Sequence, residues 1–309
     1  MKYIIETKNL SKSFGELKAV NNISFKVKKG GLFAFLGLNG AGKSTTINML
    51  CQIINKDHGE IIINKCNIDN KSETIKKDIG IVFQSSVLDP ELTVLQNLIS
   101  RASLYNLSKE KTKKRLNYLI DIFNLEDILN RPYGVLSGGQ RRKTDIARAL
   151  IHEPKILFLD EPTAGLDPII RNQVWHILTT LMHENDLTIF LTTHYMEEVL
   201  NSNYVVILDE GNIVAEGTPD NLKDLYASDL LRVLSKKSAD IEALFNKNNI
   251  KYTYKNECYY INLDNPREAY EIINLNPDLL NNFEVIKGNM DQVFLNVTGK
   301  ELGEENGKV

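Results

Sequence analysis

The stretch Gly37 to Thr45, GLNGAGKST, limits what this chain can fold into more than any other. It matches G-x-x-x-x-G-K-[ST], follows the apolar run Leu32 to Leu36, and opens a helical pattern. A strand that passes through glycines straight into a helix leaves the first N–H groups of that helix without partners, which makes a cradle for phosphate. Gly37, Gly40 and Gly42 let the backbone curl so that these groups converge. Lys43 then brings a positive charge to the outer phosphates, and the Ser44 hydroxyl suits a Mg2+ shell. The expectation is a parallel α/β sheet with a nucleotide at the carboxyl ends of its strands.

Other strands end in polar residues that suit the same edge. Ile156 to Leu159 are apolar without a break, and Asp160 emerges where that strand ends. Asp160 is placed to organise Mg2+ through its water shell. Glu161, adjacent but pointing differently, is a candidate general base for a water attacking the terminal phosphate. Gln84 closes "IGIVFQ" and His194 closes "LTIFLTTH". Either alone reads as a solvated loop residue; with Lys43 and Asp160 they are four strand ends that meet if the strands are neighbours. A second cradle lies downstream in "VLSGGQRRKTDIARAL", Val135 to Leu150. There Ser137, Gly138 and Gly139 stand where a helix begins, again with bare N–H groups suited to an anion.

Periodicity divides the chain. "YIIETKNL", "NNISFKV", "GLFAFLG", "GEIIINKCNI" and "IGIVF" read as strands, and a helix runs through "KSTTINMLCQII". From about 92 to 150 the pattern turns helical, as an insert in the α/β domain. Strands return in "KILFLDEP" and "LTIFLTTH" on either side of the helix "PIIRNQVWHILTTLMHEN". "YVVILDEGNIVAEG" reads as a hairpin turning at Glu210-Gly211-Asn212. A first domain of residues 1–224 is expected. Residues 225–309 then read strand, helix, hairpin, helix, strand, helix, a small α+β domain of ferredoxin-like type.

"LSGGQ" followed by "ILFLDEPTAGLDP" and "TTH" resembles the ATP-binding subunit of an ABC transporter over about residues 4–224. The resemblance implies a P-loop ABC-type ATPase domain with a helical subdomain. It makes the loop from Gly37 through Leu38, Asn39, Gly40 and Ala41 to Gly42, with Lys43, Ser44 and Thr45, the Walker A loop that holds ATP. Asp160 becomes the Walker B aspartate and Glu161 the catalytic glutamate, while Gln84 is the Q-loop glutamine, with Ser44 and Asp160 at Mg2+. His194 becomes the switch histidine, and Ala164 to Asp167 the D-loop. Leu136, Ser137, Gly138, Gly139 and Gln140 form the signature. Phe14 stands where the family stacks a tyrosine on adenine, and phenylalanine keeps the stacking face. In this family two ATPase domains pack head to tail, each signature capping the terminal phosphate on its partner's P-loop, so the second cradle serves another chain's ATP.

A narrower likeness is to the daunorubicin-resistance type of multidrug-export ATPase, through "QSSVLDPELTVLQNL", "RRKTDIARALIHEPKILFLDEPTAGLDP" and the ending "MDQVFLNVTGKEL". Leu38 where proline is commoner, GGQ where GGM is frequent, and "VLNSNYVVIL" without the usual Cys-Asp-Arg depart from that group. None removes a catalytic group. The reading is therefore a motor subunit of an exporter, a homodimer around ATP acting on a separate transmembrane permease at the cytoplasmic face of the membrane. An importer ATPase, or a soluble ATPase of this superfamily acting on ribosomes or DNA, are the alternatives.

Composition bears on partners. The 309 residues carry 37 basic and 40 acidic side chains, a net charge of −3, so no global field favours nucleic acid, and none is expected as a partner. Cys51, Cys66 and Cys258 are odd in number and widely spaced, as suits reduced thiols in a cytosolic chain. The opening "MKYIIETKNLSKSFG" is interrupted by Glu6, Lys8 and Asn9 and does not read as a secretory signal. No apolar run approaches the roughly 20 residues of a membrane span, so the expectation is a soluble chain held at a membrane by its permease.

Overall fold

The computed structural model describes residues 3–70 and 72–300. A hairpin of two long strands, β1 (Tyr3–Phe14) and β2 (Leu17–Lys28), leads to β3 (Leu32–Leu36) and, through the glycine loop, to α1 (Lys43–Leu50). β4 (His58–Ile63), β5 (Cys66–Asn67), α2 (Ser72–Asp78) and β6 (Ile79–Val82) follow. The helical insert holds α3 (Val94–Ser103), α4 (Lys109–Phe123) and α5 (Gly138–Ala149). After it come β7 (Ile156–Asp160), α6 (Pro168–Asn185), β8 (Thr188–Thr193), α7 (Met196–Val199) and the hairpin β9 (Tyr204–Asp209) and β10 (Asn212–Gly217).

These strands make two sheets. One is antiparallel in the order β2-β1-β4-β5, and the other runs β10-β9-β3-β8-β7-β6, parallel from β9 to β6. The short strands of the parallel sheet are apolar without alternation because both faces are covered: all five residues of β3 and of β7 are buried. Between the sheets lies an aromatic core. Phe25 of the antiparallel sheet meets Phe35 at 4.9 Å between ring centroids, and Phe190 lies 5.0 Å from Phe33 and 5.2 Å from Phe158. Removing one such ring to alanine costs about 3–5 kcal/mol. Ile47, Met49 and Leu50 of α1 join the same core, which fixes the direction of the helix that follows the glycine loop.

The helix expected through Ile54 stops at Leu50, because Gln52 takes a left-handed φ of 57° and turns the chain. β1 extends four residues beyond the expected Leu10, to a two-residue turn at Gly15 and Glu16. Glu210 and Gly211, at φ 47° and 79°, make the β9–β10 turn.

The chain divides into two compact units between Glu216 and Gly217, earlier than the boundary expected after Asp224. The reason is α8 (Pro219–Tyr226), whose packing partner is the helix Met290–Thr298. Beyond it the second unit runs β11 (Asp229–Leu234), α9 (Ala239–Lys247), β12 (Thr253–Lys255), β13 (Cys258–Leu263), α10 (Pro266–Ile273), β14 (Phe283–Ile286) and α11 (Met290–Thr298). Its antiparallel sheet has the order β12-β13-β11-β14, the ferredoxin-like arrangement, around Leu231, Val233, Phe245, Tyr259 and Ile261. Asn296 of α11 donates to the Tyr226 carbonyl at 2.8 Å, tying the two terminal helices of this unit. The last nine residues of the expected domain, 301–309, lie outside the described residues.

One packing contact makes stability depend on pH. The His152 ring stacks on Tyr105 with centroids 3.9 Å apart, Nε2 lies 2.9 Å from the Ile79 carbonyl, and Nδ1 is buried without a partner. Burial pushes its pKa down to about 4, helped by Arg101, Arg115 and Arg148 nearby. Because the folded pKa lies below the unfolded value of about 6.5, the unfolded chain binds the extra proton first, and stability falls as pH drops from about 6.5 toward 4. Urea melts at pH 7.5 and pH 5 are predicted to show a His152 contribution of about 2 kcal/mol to the loss. His152→Gln removes that share; an unchanged pH slope would refute the assignment.

Candidate functional site

The order β3-β8-β7-β6 places four strand ends side by side, with Leu36 opposite Thr193, Asp160 opposite Thr192 and Val82 opposite Leu159. The glycine loop leaves β3 at this edge. Gly42 sits at φ 102° with its α-carbon packed against the β2 backbone, where a Cβ would come 2.3 Å from the Ala19 carbonyl oxygen. That position admits no other residue. Gly37 is similarly confined by the Leu208 carbonyl at 2.6 Å, whereas Gly40 at φ 83° is open and serves the turn alone. Gly42 also caps α1 without a side chain, so the first-turn N–H groups of Lys43, Ser44 and Thr45 are left for a ligand.

Lys43 is buried and donates to the carbonyls of Gly37 at 2.8 Å and Leu38 at 3.0 Å. Burial lowers its pKa, and Glu161, 3.5 Å from Nζ, works against that shift. Leu38 is half-buried, while Asn39 and Gly40 are exposed at the loop's rim; Ala41 is buried beneath it. Asp160 is buried at the end of β7, and its Oδ1 accepts from Ser44 Oγ at 3.1 Å and from Thr192 Oγ1.

Glu161 is the hub. Its φ of 46° is left-handed, a conformation that costs a non-glycine residue about 1–3 kcal/mol and persists only where the surroundings impose it. Here they do: its N–H donates to Thr192 O at 3.0 Å, and its carbonyl accepts from Arg142 Nη2 at 3.0 Å. The turn sends the carboxylate back across the strand ends. Gln84 Nε2 donates to Oε2 at 3.1 Å; His194 Nδ1 is 3.3 Å from Oε1 but is not aligned to hydrogen-bond it. The structure thus brings together Lys43, Ser44, Gln84, Asp160, Glu161 and His194.

It does not bring the remaining expected residues to this cluster. Phe14 stands at the tip of the β1–β2 hairpin, 51% exposed, with Lys12 Nζ 5.4 Å over its ring. Asp167 caps α6, accepting from Ile170 N at 3.0 Å. Ser137 and Gln140 close a capping box on α5: Gln140 N donates to Ser137 Oγ at 3.3 Å, and Ser137 N donates to Gln140 Oε1 at 3.0 Å. With both side chains so engaged, the groups that α5 offers outward are the N–H of exposed Gly138 and half-buried Gly139. Thr192, Arg142 and Asp145 were missed in the sequence. The signal for the last two was a polar spacing of three, Arg142, Asp145 and Arg148, on one face of an otherwise apolar-periodic helix.

A protein-family model described as ABC transporter matches residues 20–164. The daunorubicin/doxorubicin resistance ATP-binding protein of Streptomyces peucetius is 33% identical over 96% of this chain and 92% of its own length. The Nod factor export ATP-binding protein I of Rhizobium etli is 31% identical over 96% of this chain and 94% of its own. Among solved structures, a dimeric post-hydrolysis ATP-binding cassette bound to ADP and Pi matches with a TM-score of 0.63 at 29% identity, covering 69% of this chain and 98% of that one.

The glycines of α5 are predicted to differ in tolerance. A Cβ on Gly139 would fall 2.7 Å from Ile170 Cγ2 of α6, whereas one on Gly138 meets only Leu166 Cδ2 at 3.9 Å. Gly139→Ala should cost about 1 kcal/mol or more of stability through overpacking, and Gly138→Ala close to none, in urea unfolding. Equal costs would contradict this packing.

Proposed function

The chain belongs to the ATP-binding proteins of ABC transporters, an ATP-hydrolysing family, and on that premise we propose that it is the motor subunit of an exporter that pairs head to tail around two ATP and drives a separate membrane permease. The observation that carries this reading is the second cradle. Exposed Gly138 and half-buried Gly139 open α5 with first-turn N–H groups that its Ser137–Gln140 capping box leaves unused, and these suit an anion presented by another copy. Export is supported by relatives named for drug resistance and Nod factor export that align along nearly the whole chain, second unit included. A drug or other amphiphile is the cargo class this supports. Among the described residues no helix is long and apolar enough to cross a membrane, which fits attachment through the permease.

The chemistry follows from the cluster. An arriving terminal phosphate draws the Lys43 ammonium from the Gly37 and Leu38 carbonyls, while the α1 N–H groups meet the inner phosphates. Ser44 and Asp160, 3.1 Å apart, are oxygen donors of the kind Mg2+ takes; with the Gln84 amide oxygen they would hold that ion, which would supply charge neutralisation at the phosphates. Glu161 accepts a proton from the attacking water, a contribution of about 10²–10⁴ in rate. Gln84 and His194, both against the Glu161 carboxylate, orient it and sense the terminal phosphate. Phe14 offers its open face to adenine. The segment after Gln84, with Val87 57% exposed, is the candidate permease contact.

Glu161→Gln is predicted to leave ATP affinity within about twofold, because Lys43, Ser44 and the loop N–H groups hold the phosphates, while cutting turnover by about 10²-fold or more. Gel filtration with ATP and Mg2+ should then show an ATP-bound dimer alongside a lost phosphate-release signal. Wild-type turnover in this variant removes Glu161 from the mechanism.

A further inference from the structure

Three buried polar side chains on one face of α5 grip the segment that carries Gln84. Arg148 Nη2 donates to the Ile81 carbonyl at 2.6 Å, Arg142 Nη1 to the Phe83 carbonyl at 2.8 Å, and Asp145 Oδ1 accepts from Ser86 Oγ at 2.6 Å. They lie at positions i, i+3 and i+6, so they share a helix face, and they are 7%, 5% and 3% exposed for Arg142, Asp145 and Arg148. The grip brackets Gln84 on both sides. Ser86 Oγ also accepts from Leu88 N at 3.2 Å, closing the turn behind it, and Tyr133 OH donates to the other Asp145 oxygen at 3.0 Å, fixing the carboxylate. Arg142 reaches further. Its second nitrogen, Nη2, donates to the carbonyl of Glu161, the strained residue at the hub.

The N-terminus of that same helix is the Gly138-Gly139 cradle, one turn before Arg142. Hydrogen bonds from buried, charged groups are stiff: breaking one leaves an uncompensated charge in the interior. Phe83 to Ser86 and α5 therefore move as one body. Because Arg142 also holds the Glu161 carbonyl, a change at Glu161 or in the Gln84 segment is passed to Gly138 and Gly139 with little slack. Building on the paired-site reading above, we propose that Arg142 and Asp145 are positioning residues that couple a chain's own phosphate site to the signature it presents to its partner, so that filling one ATP site sets the geometry of the other. Neither side chain touches the reacting atoms; both act through backbone and Ser86. The coupling needs a two-state element, and the Gln84–Glu161 contact, made or broken by the terminal phosphate, supplies it.

Ser86 lies on an exposed loop, so Ser86→Ala cuts the tie with little risk to folding, and Asp145→Asn tests the same tie from the helix. ATP binding to the isolated chain, kcat and the Hill coefficient of ATP hydrolysis against ATP concentration separate coupling from stability. The expected result is an unchanged thermal midpoint and ATP affinity for Ser86→Ala, a kcat lower by about five- to tenfold, and a Hill coefficient falling from near 2 toward 1. Ser86→Thr, which keeps the hydroxyl, should restore both. A wild-type Hill coefficient and kcat in Ser86→Ala and Asp145→Asn alike would overturn the proposal while leaving the paired-site reading intact. A wild-type chain that hydrolyses ATP with a Hill coefficient of 1 would overturn it too, by removing the linked sites it rests on.

Discussion

The contact between Lys43 and Glu161 is the constraint around which the first unit is organised. Both side chains are buried, 4% and 6% exposed, and lie 3.5 Å apart. Two charges withdrawn from water cost several kcal/mol each unless geometry and hydrogen bonds offset the loss. The fold supplies the offsets from opposite sides of the edge: loop carbonyls at Gly37 and Leu38 for the ammonium, and the Gln84 amide for the carboxylate, with His194 beside it but not hydrogen-bonded. That arrangement demands the order β3-β8-β7-β6, since each strand delivers one of these groups at its end. It also demands the left-handed Glu161 backbone, and hence the two main-chain anchors from Thr192 and Arg142.

How much of this was legible in the sequence follows from what each feature depends on. The glycine loop, the four strand ends and the ferredoxin-like order of elements rest on local spacing and apolar runs, and the structure assembles them as those patterns imply. Where a boundary depended on one backbone dihedral it went unseen: nothing about Gln52 as a residue type announces that it ends α1. The outer end of β1 is not legible in the sequence, because Lys12 and Ser13 are polar and half-buried and alternation fades before the strand does. The sequence does not mark the unit boundary before α8, because α8 resembles any amphipathic helix until its partner α11, some seventy residues on, is known. The grip of α5 on Ile81 to Ser86 is a tertiary fact: the spacing of Arg142, Asp145 and Arg148 was visible, but not what they hold.

Under the proposed function α5 meets two demands. An N-terminus that takes an anion has to stay open, and here the cap is satisfied by the helix's own Ser137 and Gln140 while its first two residues, Gly138 and Gly139, carry no side chain. Gly139 also packs against Ile170, where a Cβ would come within 2.7 Å of Cγ2. Gly138 has room, and a side chain placed there probes the anion site without disturbing the α5–α6 contact.

That difference makes the central claim, that the two cradles of one chain serve different nucleotides, directly measurable. Two copies are tethered as one polypeptide in a Glu161→Gln background that stops hydrolysis, one half carrying Lys43→Ala and the other Gly138→Asp, with the permease present if closure requires it. If each signature serves the partner's ATP, both lesions fall in one site, because the carboxylate at 138 repels the phosphate that the missing Lys43 would have held. The other site pairs an intact loop with an intact signature. Counting occluded ATP should then give about one per tethered dimer, by the two-site stoichiometry of the shared arrangement. No occluded ATP, with the tethered Glu161→Gln control retaining its full complement under the same conditions, would contradict the account.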